Sequence, residues 1–343
     1  MSHFQRKLIN WYQENKRNLP WRKTSDPYKV WLSEVILQQT RVVQGRAYYD
    51  KFISLYPTVG RLASATEEQV LNLWKGLGYY SRARNLHKTA IQVVSDFGGV
   101  FPNNYDGLLT LTGIGPYTAA AISSFCFNEP RAVLDGNVFR VLSRLHNIAT
   151  PINTTSGLKE FSVLATALLN RKDPATHNQA IMEFGALQCT PKAPKCENCC
   201  FNVECLSLKE GVIKERPQKL KKTKIKTRFL LFTVLYDNEQ RTVYLRKRTE
   251  KDIWRNFYDF KLTEFLEEDS FLLAQKKRIC CNKVHKLTHQ TLQVCFIKED
   301  VRKSRVDLSG FRPYNLNQLD SLPLSALHQR YIDDNLGFLK KSI

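Results

Sequence analysis

No run of eighteen apolar residues occurs anywhere in the 343-residue chain, which excludes a membrane-spanning helix of the usual kind. Met1-Ser2-His3-Phe4-Gln5-Arg6-Lys7 lacks the apolar core of a secretory signal. Trp11 and Glu14 come too early for a transit peptide. Period-two alternation is scarce before residue 210, which argues against a β-rich first half. No internal repeat is found, so solenoids and propellers are excluded, and no low-complexity tract occurs outside one basic stretch. Acidic residues are in deficit, with 32 Asp and Glu against 52 Lys and Arg.

What is there starts from that imbalance. A net charge of +20 is large for a globular chain and calls for a polyanionic partner, most simply nucleic acid. The alternative is a solvated basic surface. With no membrane partner and no export signal, the expectation is a cytoplasmic, nucleoid-associated protein. The length suits two domains with full cores, and the apolar fraction of 43% is ordinary.

Periodicity places helices at 4–16, 28–43, 45–55, 67–75, 79–97, 105–111, 117–127, 136–147, 155–170 and 174–187. Asp26-Pro27 is a strong helix start, with Asp26 as the cap. Tyr28, Trp31, Leu32 and Val35 form the apolar stripe of that helix, and Glu34 lies off it. The first part is therefore an all-α domain over residues 1–210. Residues 211–227 read as a basic, solvated linker, in which Lys221, Lys222 and Lys224 belong to a run of cations. From 228 to 343 the period changes. Strands are expected at 229–236, 242–245, 283–287 and 291–297, and helices at 265–276 and 318–332, which makes an α+β domain.

Leu111-Thr112-Gly113-Ile114-Gly115-Pro116-Tyr117 is a tight turn feeding a helix. Exposed N–H groups beside a positive dipole end suit a phosphate, with Gly113 and Gly115 as the binding positions. An ordinary turn fits the same residues. Asp135, before Gly136 and Asn137, reads as a helix cap or as a functional carboxylate.

Of nine cysteines, four lie in the pattern Cys189-x6-Cys196-x2-Cys199-x5-Cys205. In a reducing compartment such clustered thiols are metal ligands, for an iron–sulfur cluster or a zinc ion. Cys200 is an extra thiol that does not complete the spacing. Together the hairpin, the downstream aspartate and this 6-2-5 cysteine loop resemble the helix-hairpin-helix, Gly-Pro-Asp superfamily of base-excision glycosylases, whose loop holds a [4Fe-4S] cluster. Within it, Tyr28-Lys29-Val30-Trp31-Leu32-Ser33-Glu34-Val35-Ile36-Leu37-Gln38-Gln39-Thr40 and Leu134-Asp135-Gly136-Asn137-Val138 resemble adenine glycosylases of the MutY type.

That resemblance implies a catalytic set of Glu34, Asp135, Tyr117 and Asn137. Glu34 would be the general acid at the departing base and Asp135 the carboxylate facing the sugar. The chemistry parallels glycoside hydrolysis by paired carboxylates, one protonated and one ionised. From the residues alone, Glu34 reads as a solvated helix acid. The lyase branch of the superfamily carries lysine at the place of Tyr117. Tyrosine forms no Schiff base, which implies a monofunctional enzyme. The resemblance also implies a flipped base met by Arg22, Glu34 and Gln179, and wedge residues Leu37, Gln38, Gln39 and Tyr79.

The second domain is similar to the Nudix-like recognition domain of the same family, although a Nudix hydrolase box of glycine, Arg-Glu and paired acids is absent. There the family reads 8-oxoguanine through a Phe-Ser-His turn. Here the place is Leu287-Thr288-His289, which keeps the hydroxyl and the histidine and loses the aromatic. The implied partner is double-stranded DNA carrying adenine opposite 8-oxoguanine or guanine, bound by a monomer. The rivals are a sister glycosylase acting on oxidised pyrimidines and a non-catalytic DNA-binding protein. Tyr117 opposes the first, and the presence of both Glu34 and Asp135 opposes the second.

Overall fold

The computed structural model describes residues 1–220, 225–275, 280–287, 289–304 and 306–337. Thr288 and the lysines at 221, 222 and 224 lie outside the described residues. The chain divides into two compact units, Met1–Ser64 with Asn85–Lys222, and Ala65–Arg84 with Thr223–Ile343.

The helices in chain order are α1 (His3–Asn15), α2 (Pro27–Leu37), α3 (Val42–Leu55), α4 (Val59–Ala63), α5 (Glu67–Leu73), α6 (Ser81–Phe97), α7 (Tyr105–Leu109) and α8 (Pro116–Phe127). They continue as α9 (Gly136–Leu145), α10 (Thr155–Leu168), α11 (Pro174–Leu187), α12 (Leu206–Lys209), α13 (Glu268–Gln275), α14 (Leu316–Leu319) and α15 (Ala326–Asn335). Their starts follow the capping rules. Asp26 accepts from the Tyr28 amide ahead of Pro27, and Asp173 accepts from the Thr176 amide ahead of Pro174. In the first unit α11 packs on α1, α8 and α9. Leu8, Trp11, Phe139, Leu142, Phe161 and Phe184 fill the space between them.

One expected helix is shorter than its periodicity suggests. The helix over 28–43 ends at Leu37, and α3 begins at Val42. Neither glycine nor proline marks the break. Instead Thr40 N donates to Leu37 O at 3.2 Å, and Gln39 takes φ +58°. The cause is burial. Every residue of α2 from Val30 to Ile36 is buried, whereas Val43 is 89% exposed, so the two valines do not continue the same buried helix. The break turns the polar Gln38-Gln39-Thr40 into a loop.

The hairpin joins α7 to α8. Ile114 N donates to Leu111 O at 3.1 Å, and Gly113 sits at φ +77°, where a Cβ would stand 2.7 Å from the Cβ of Asn85. Both the dihedral and the close approach demand glycine.

The basic segment is not wholly a tether. Ile152 N donates to Gln218 O at 3.0 Å, and Arg144 donates to the carbonyls of Ile213 and Arg216, each at 3.1 Å. Arg216 is itself buried. Backbone carbonyls, invisible to a charge count, fasten this stretch to the helical unit.

The second unit is built on a mixed sheet. Its strands are β1 (Lys226–Asp237), β2 (Thr242–Lys247), β3 (Tyr258–Asp259), β4 (Lys261–Phe265), β5 (Cys280–Lys286), β6 (Gln290–Asp300) and β7 (Arg312–Asn315). The order is β3-β2-β1-β6-β5, with β4 on β1 and β7 on β2. β1 runs parallel to β6 from Lys226↔Gln290 to Tyr236↔Asp300. The helix expected at 318–332 is two helices, α14 and α15, because Pro323 interrupts it and Ser325 caps the second piece. Ala65–Arg84 group with this unit. Tyr80 packs on Phe257 with ring centroids 4.4 Å apart, and Lys247 Nζ lies 3.2 Å from Glu68.

Candidate active site

The helical unit contains a cavity of about 890 Å³. Arg22, Glu34, Tyr117, Asp135, Asn137 and Gln179 line it, and Leu37, Gln38 and Gln39 belong to the same wall. Nine residues expected from the sequence are thus brought together. Gly113 and Gly115 lie apart in the hairpin. Tyr79 and His289 belong to the second unit. Tyr79 is at φ +48° with the Arg82 guanidinium 5.8 Å from its ring centroid; His289 is exposed, and beside it Leu287 N donates to Gln290 O at 2.8 Å.

Glu34 is only 7% exposed, so it is no solvated helix acid. Burial is the main reason its carboxyl titrates at about 7, and the Asp135 charge adds to the rise. The Tyr117 hydroxyl, donating to Glu34 Oε2 at 2.6 Å, and the Arg22 charge hold the rise back. Tyr117 is raised well above its ordinary value, first by burial and then by the two carboxylates, and so remains a donor.

Asp135 is both cap and pocket residue. Its Oδ1 accepts from the amides of Asn137 at 2.9 Å and Val138 at 2.8 Å, and its Oδ2 accepts from Asn137 Nδ2 at 2.6 Å. Burial raises its pKa, while these three donors and the Arg140 charge oppose that rise. All its partners are donors, which is the environment of an ionised carboxylate. The segment leading into it is stapled by Asn178, whose Oδ1 accepts from Val133 N at 3.2 Å and whose Nδ2 donates to Arg131 O at 2.7 Å.

Several residues that hold the cavity's side chains in place carry little mark in the sequence. Arg140 is buried and donates to Asn137 Oδ1 at 2.8 Å, Gly185 O at 2.7 Å and Cys189 O at 2.7 Å. It ties the carboxylate end of the pocket to the cysteine loop. Gly185 admits this approach, since a Cβ there would stand 2.6 Å from the Cβ of Asn137. Glu183 accepts bidentately from both Arg17 and Arg22. Tyr12 donates to Gln179 Oε1 at 2.9 Å. An arginine four residues after a helix start carries no local mark of such a partner. The Arg-Asn-Leu-Pro-Trp-Arg run at 17–22 was the available signal for Arg17.

Cys189, Cys196, Cys199 and Cys205 line one small cavity of about 30 Å³ and are unbridged. Arg144 Nη1 donates to Cys189 Sγ at 3.4 Å, and Phe201 N donates to Cys199 Sγ at 3.4 Å. N–H donors directed at sulfur suit thiolates. Among the described residues no group of three or more His, Cys, Asp or Glu is placed to hold a metal ion. Four thiols lining one void are the donor type that a structural zinc ion or an iron–sulfur cluster takes.

The family model described as "HhH-GPD superfamily base excision DNA repair protein" matches residues 32–162, and a NUDIX domain model matches residues 232–334. The helical unit resembles the structure of a thermostable thymine-DNA glycosylase at 29% identity and a TM-score of 0.56, covering 60% of this chain and 95% of that one. Fold and pocket together define a helix-hairpin-helix base-excision repair protein with a C-terminal Nudix-like domain. Two relatives extend over nearly the whole chain. An adenine DNA glycosylase of Buchnera aphidicola subsp. Baizongia pistaciae is 37% identical over 331 residues, 92% of this chain and 91% of that protein. One of Buchnera aphidicola subsp. Schizaphis graminum is 35% identical over 300 residues, covering 85% and 86%. The chain belongs to the adenine DNA glycosylase family.

Proposed function

We propose that the protein excises adenine standing opposite 8-oxoguanine or guanine in duplex DNA, hydrolysing the N-glycosidic bond and leaving the strand intact. The observation that carries this is the pair of carboxyl groups in one cavity with opposed environments. Glu34 is buried, titrates at about 7 and accepts from a tyrosine, whereas Asp135 is surrounded by donors. A protonated acid and a fixed anion are what the departure of a purine requires.

The base enters the cavity flipped from the duplex. Gln179 and Arg22 meet its edge. Glu34 protonates the ring nitrogen N7, which makes the base a neutral leaving group. The Asp135 carboxylate stabilises the cationic sugar carbon, with its orientation fixed by Asn137. Water completes the hydrolysis. Tyr117 holds Glu34 and offers no amine, so no Schiff base forms and no strand is cut. The loop of Leu37, Gln38 and Gln39, together with Tyr79, fills the stack left by the flipped base. Amides at Gly113 and Gly115 hold a phosphate. Thr288 and His289 read the base opposite. Cys189, Cys196, Cys199 and Cys205 would hold a [4Fe-4S] cluster, which would fix the loop and take no part in the base-release step. The enzyme acts as a monomer in the cytoplasm, at the nucleoid.

The test is excision from duplexes carrying adenine opposite 8-oxoguanine, guanine or thymine, with parallel duplexes carrying thymine glycol. Strand breaks at the adenine that need alkali, fastest opposite 8-oxoguanine, are expected. Breaks at thymine glycol without alkali, or binding with no excision, would overturn the proposal.

A further inference from the structure

Glu183, on α11, has no exposed side-chain surface and lines the same cavity. Its Oε1 accepts from Arg17 N at 2.9 Å, Arg17 Nε at 2.9 Å and Arg22 Nη1 at 2.8 Å. Its Oε2 accepts from Arg17 Nη2 at 2.5 Å and Arg22 Nη2 at 2.8 Å. Five donors on one carboxylate exceed what keeping a buried acid ionised needs. Nothing in the base-release step as described uses it.

We propose that Glu183 is a positioning residue for that step: it holds Arg22 in a bidentate pair and so keeps that cation from pairing with Glu34. This rests on Glu34 being the proton donor. Glu34 shares the cavity with Tyr117 of α8, Asp135 at the cap of α9 and Arg22 from the turn at 20–22, and its charge also acts on Cys126 of α8. Arg22 is the one cation in that set. A guanidinium matches a carboxylate bidentately and takes whichever is offered. Glu183 occupies both of its Nη groups, and the Arg22 guanidinium is seated 5.8 Å from the centroid of the Tyr12 ring. Without Glu183, the uncompensated charge on Arg17 and Arg22 rises from one to two, and Glu34 becomes the acceptor for Arg22. A glutamate paired with arginine stays ionised and has no proton to give.

The inference is tested on the full chain by single-turnover excision from an adenine·8-oxoguanine duplex across pH. Glu183→Gln is expected to move the alkaline limb of the rate profile down by roughly one unit or more, as a newly paired cation does. In an Arg22→Met background the same substitution should leave the limb where Arg22→Met alone puts it. Should Glu183→Gln not fold, Arg17→Gln with Glu183→Gln still leaves Arg22 unneutralised, and the same downward shift is expected. A uniformly lower rate with an unmoved limb overturns the inference, as does an equal shift in the Arg22→Met background. Glu34→Gln separates the two levels. Retained activity in that variant defeats the reading of Glu34 itself, whereas an inactive Glu34→Gln with an unmoved limb in Glu183→Gln defeats only the role given to Glu183.

Discussion

The Tyr117 hydroxyl donates to Glu34 Oε2 at 2.6 Å, and this one bond joins the start of α8 to the interior of α2. It stabilises the ionised form of Glu34 and so works against the burial that raises its pKa to about 7. The rate of base release is expected to fall as pH rises through about 7, because the proton on Glu34 is lost there. Tyr117→Phe removes the bond and leaves the burial, so the limb moves up. A pH series under single-turnover conditions reads both positions. A downward shift in Tyr117→Phe would contradict this account of the pair.

The same perturbation predicts an effect on stability. The folded-state value of Glu34, about 7, lies above the ordinary 4.5. A carboxyl raised by folding contributes nothing unfavourable below the unfolded value, an increasing penalty between the two values, and its full penalty above the folded one. At pH 8 the penalty is roughly 3 kcal/mol. Glu34→Gln keeps an acceptor for Tyr117 and removes the charge, so it should stabilise the helical unit at pH 8 by up to about that amount and not at pH 4. Urea unfolding at the two pH values gives the comparison, and equal effects at both would refute the burial argument.

The sequence made some of these features legible and hid others for physical reasons. The hairpin, the cysteine spacing and the Asp26-Pro27 start are local patterns, and local patterns survive in a one-dimensional reading. Glu34 is different. Its helix looks amphipathic, with a stripe of Tyr28, Trp31, Leu32 and Val35, yet Val30, Ser33 and Ile36 are buried as well. From Val30 to Ile36 the helix is enclosed on every side, and that is a property of its neighbours. The pairing of Glu183 with Arg17 spans 166 positions, and that of Arg140 with Cys189 spans 49. Neither partner carries a mark of the other. The division of the chain follows the same rule, since Tyr80 meets Phe257 across a separation that no linker composition signals.

Gly185 gives a prediction that reverses the usual helix preference. In an exposed helix interior, glycine to alanine stabilises by about 1 kcal/mol. Here the added Cβ would lie 2.6 Å from Asn137 Cβ and 2.9 Å from Asn137 O, and the backbone must shift to admit it. Gly185→Ala is expected to destabilise by roughly 1–3 kcal/mol, as overpacking does. It should also slow excision by displacing Asn137 from Asp135 Oδ2. Thermal unfolding and single-turnover rates measure the two effects. A more stable, fully active variant would show that the α9–α11 contact is looser than its geometry.

Asp135→Asn tests the fixed anion. The variant keeps an acceptor for the Asn137 and Val138 amides, so α9 stays capped at a cost of about 1 kcal/mol or less. It loses the charge and sets an amide against Asn137 Nδ2, a donor already committed to Oδ2. Turnover should be abolished while binding to an adenine·8-oxoguanine duplex persists. Binding by fluorescence anisotropy and excision by gel separate the two, and ordinary turnover would remove Asp135 from the mechanism.

Arg140 connects the last two parts of the site. Its guanidinium bridges Asn137 Oδ1, Gly185 O and Cys189 O, a span that a single ammonium does not reproduce. If the four cysteines hold a cluster, purified protein is brown, and Cys199→Ser reduces its visible absorption and iron content. Arg140→Lys should leave that colour intact, because the thiols are untouched, yet slow excision by roughly tenfold as Asn137 loses its support. Colourless protein made under iron-replete conditions would refute the cluster, and an unaffected rate in Arg140→Lys would show that the bridge holds the fold alone.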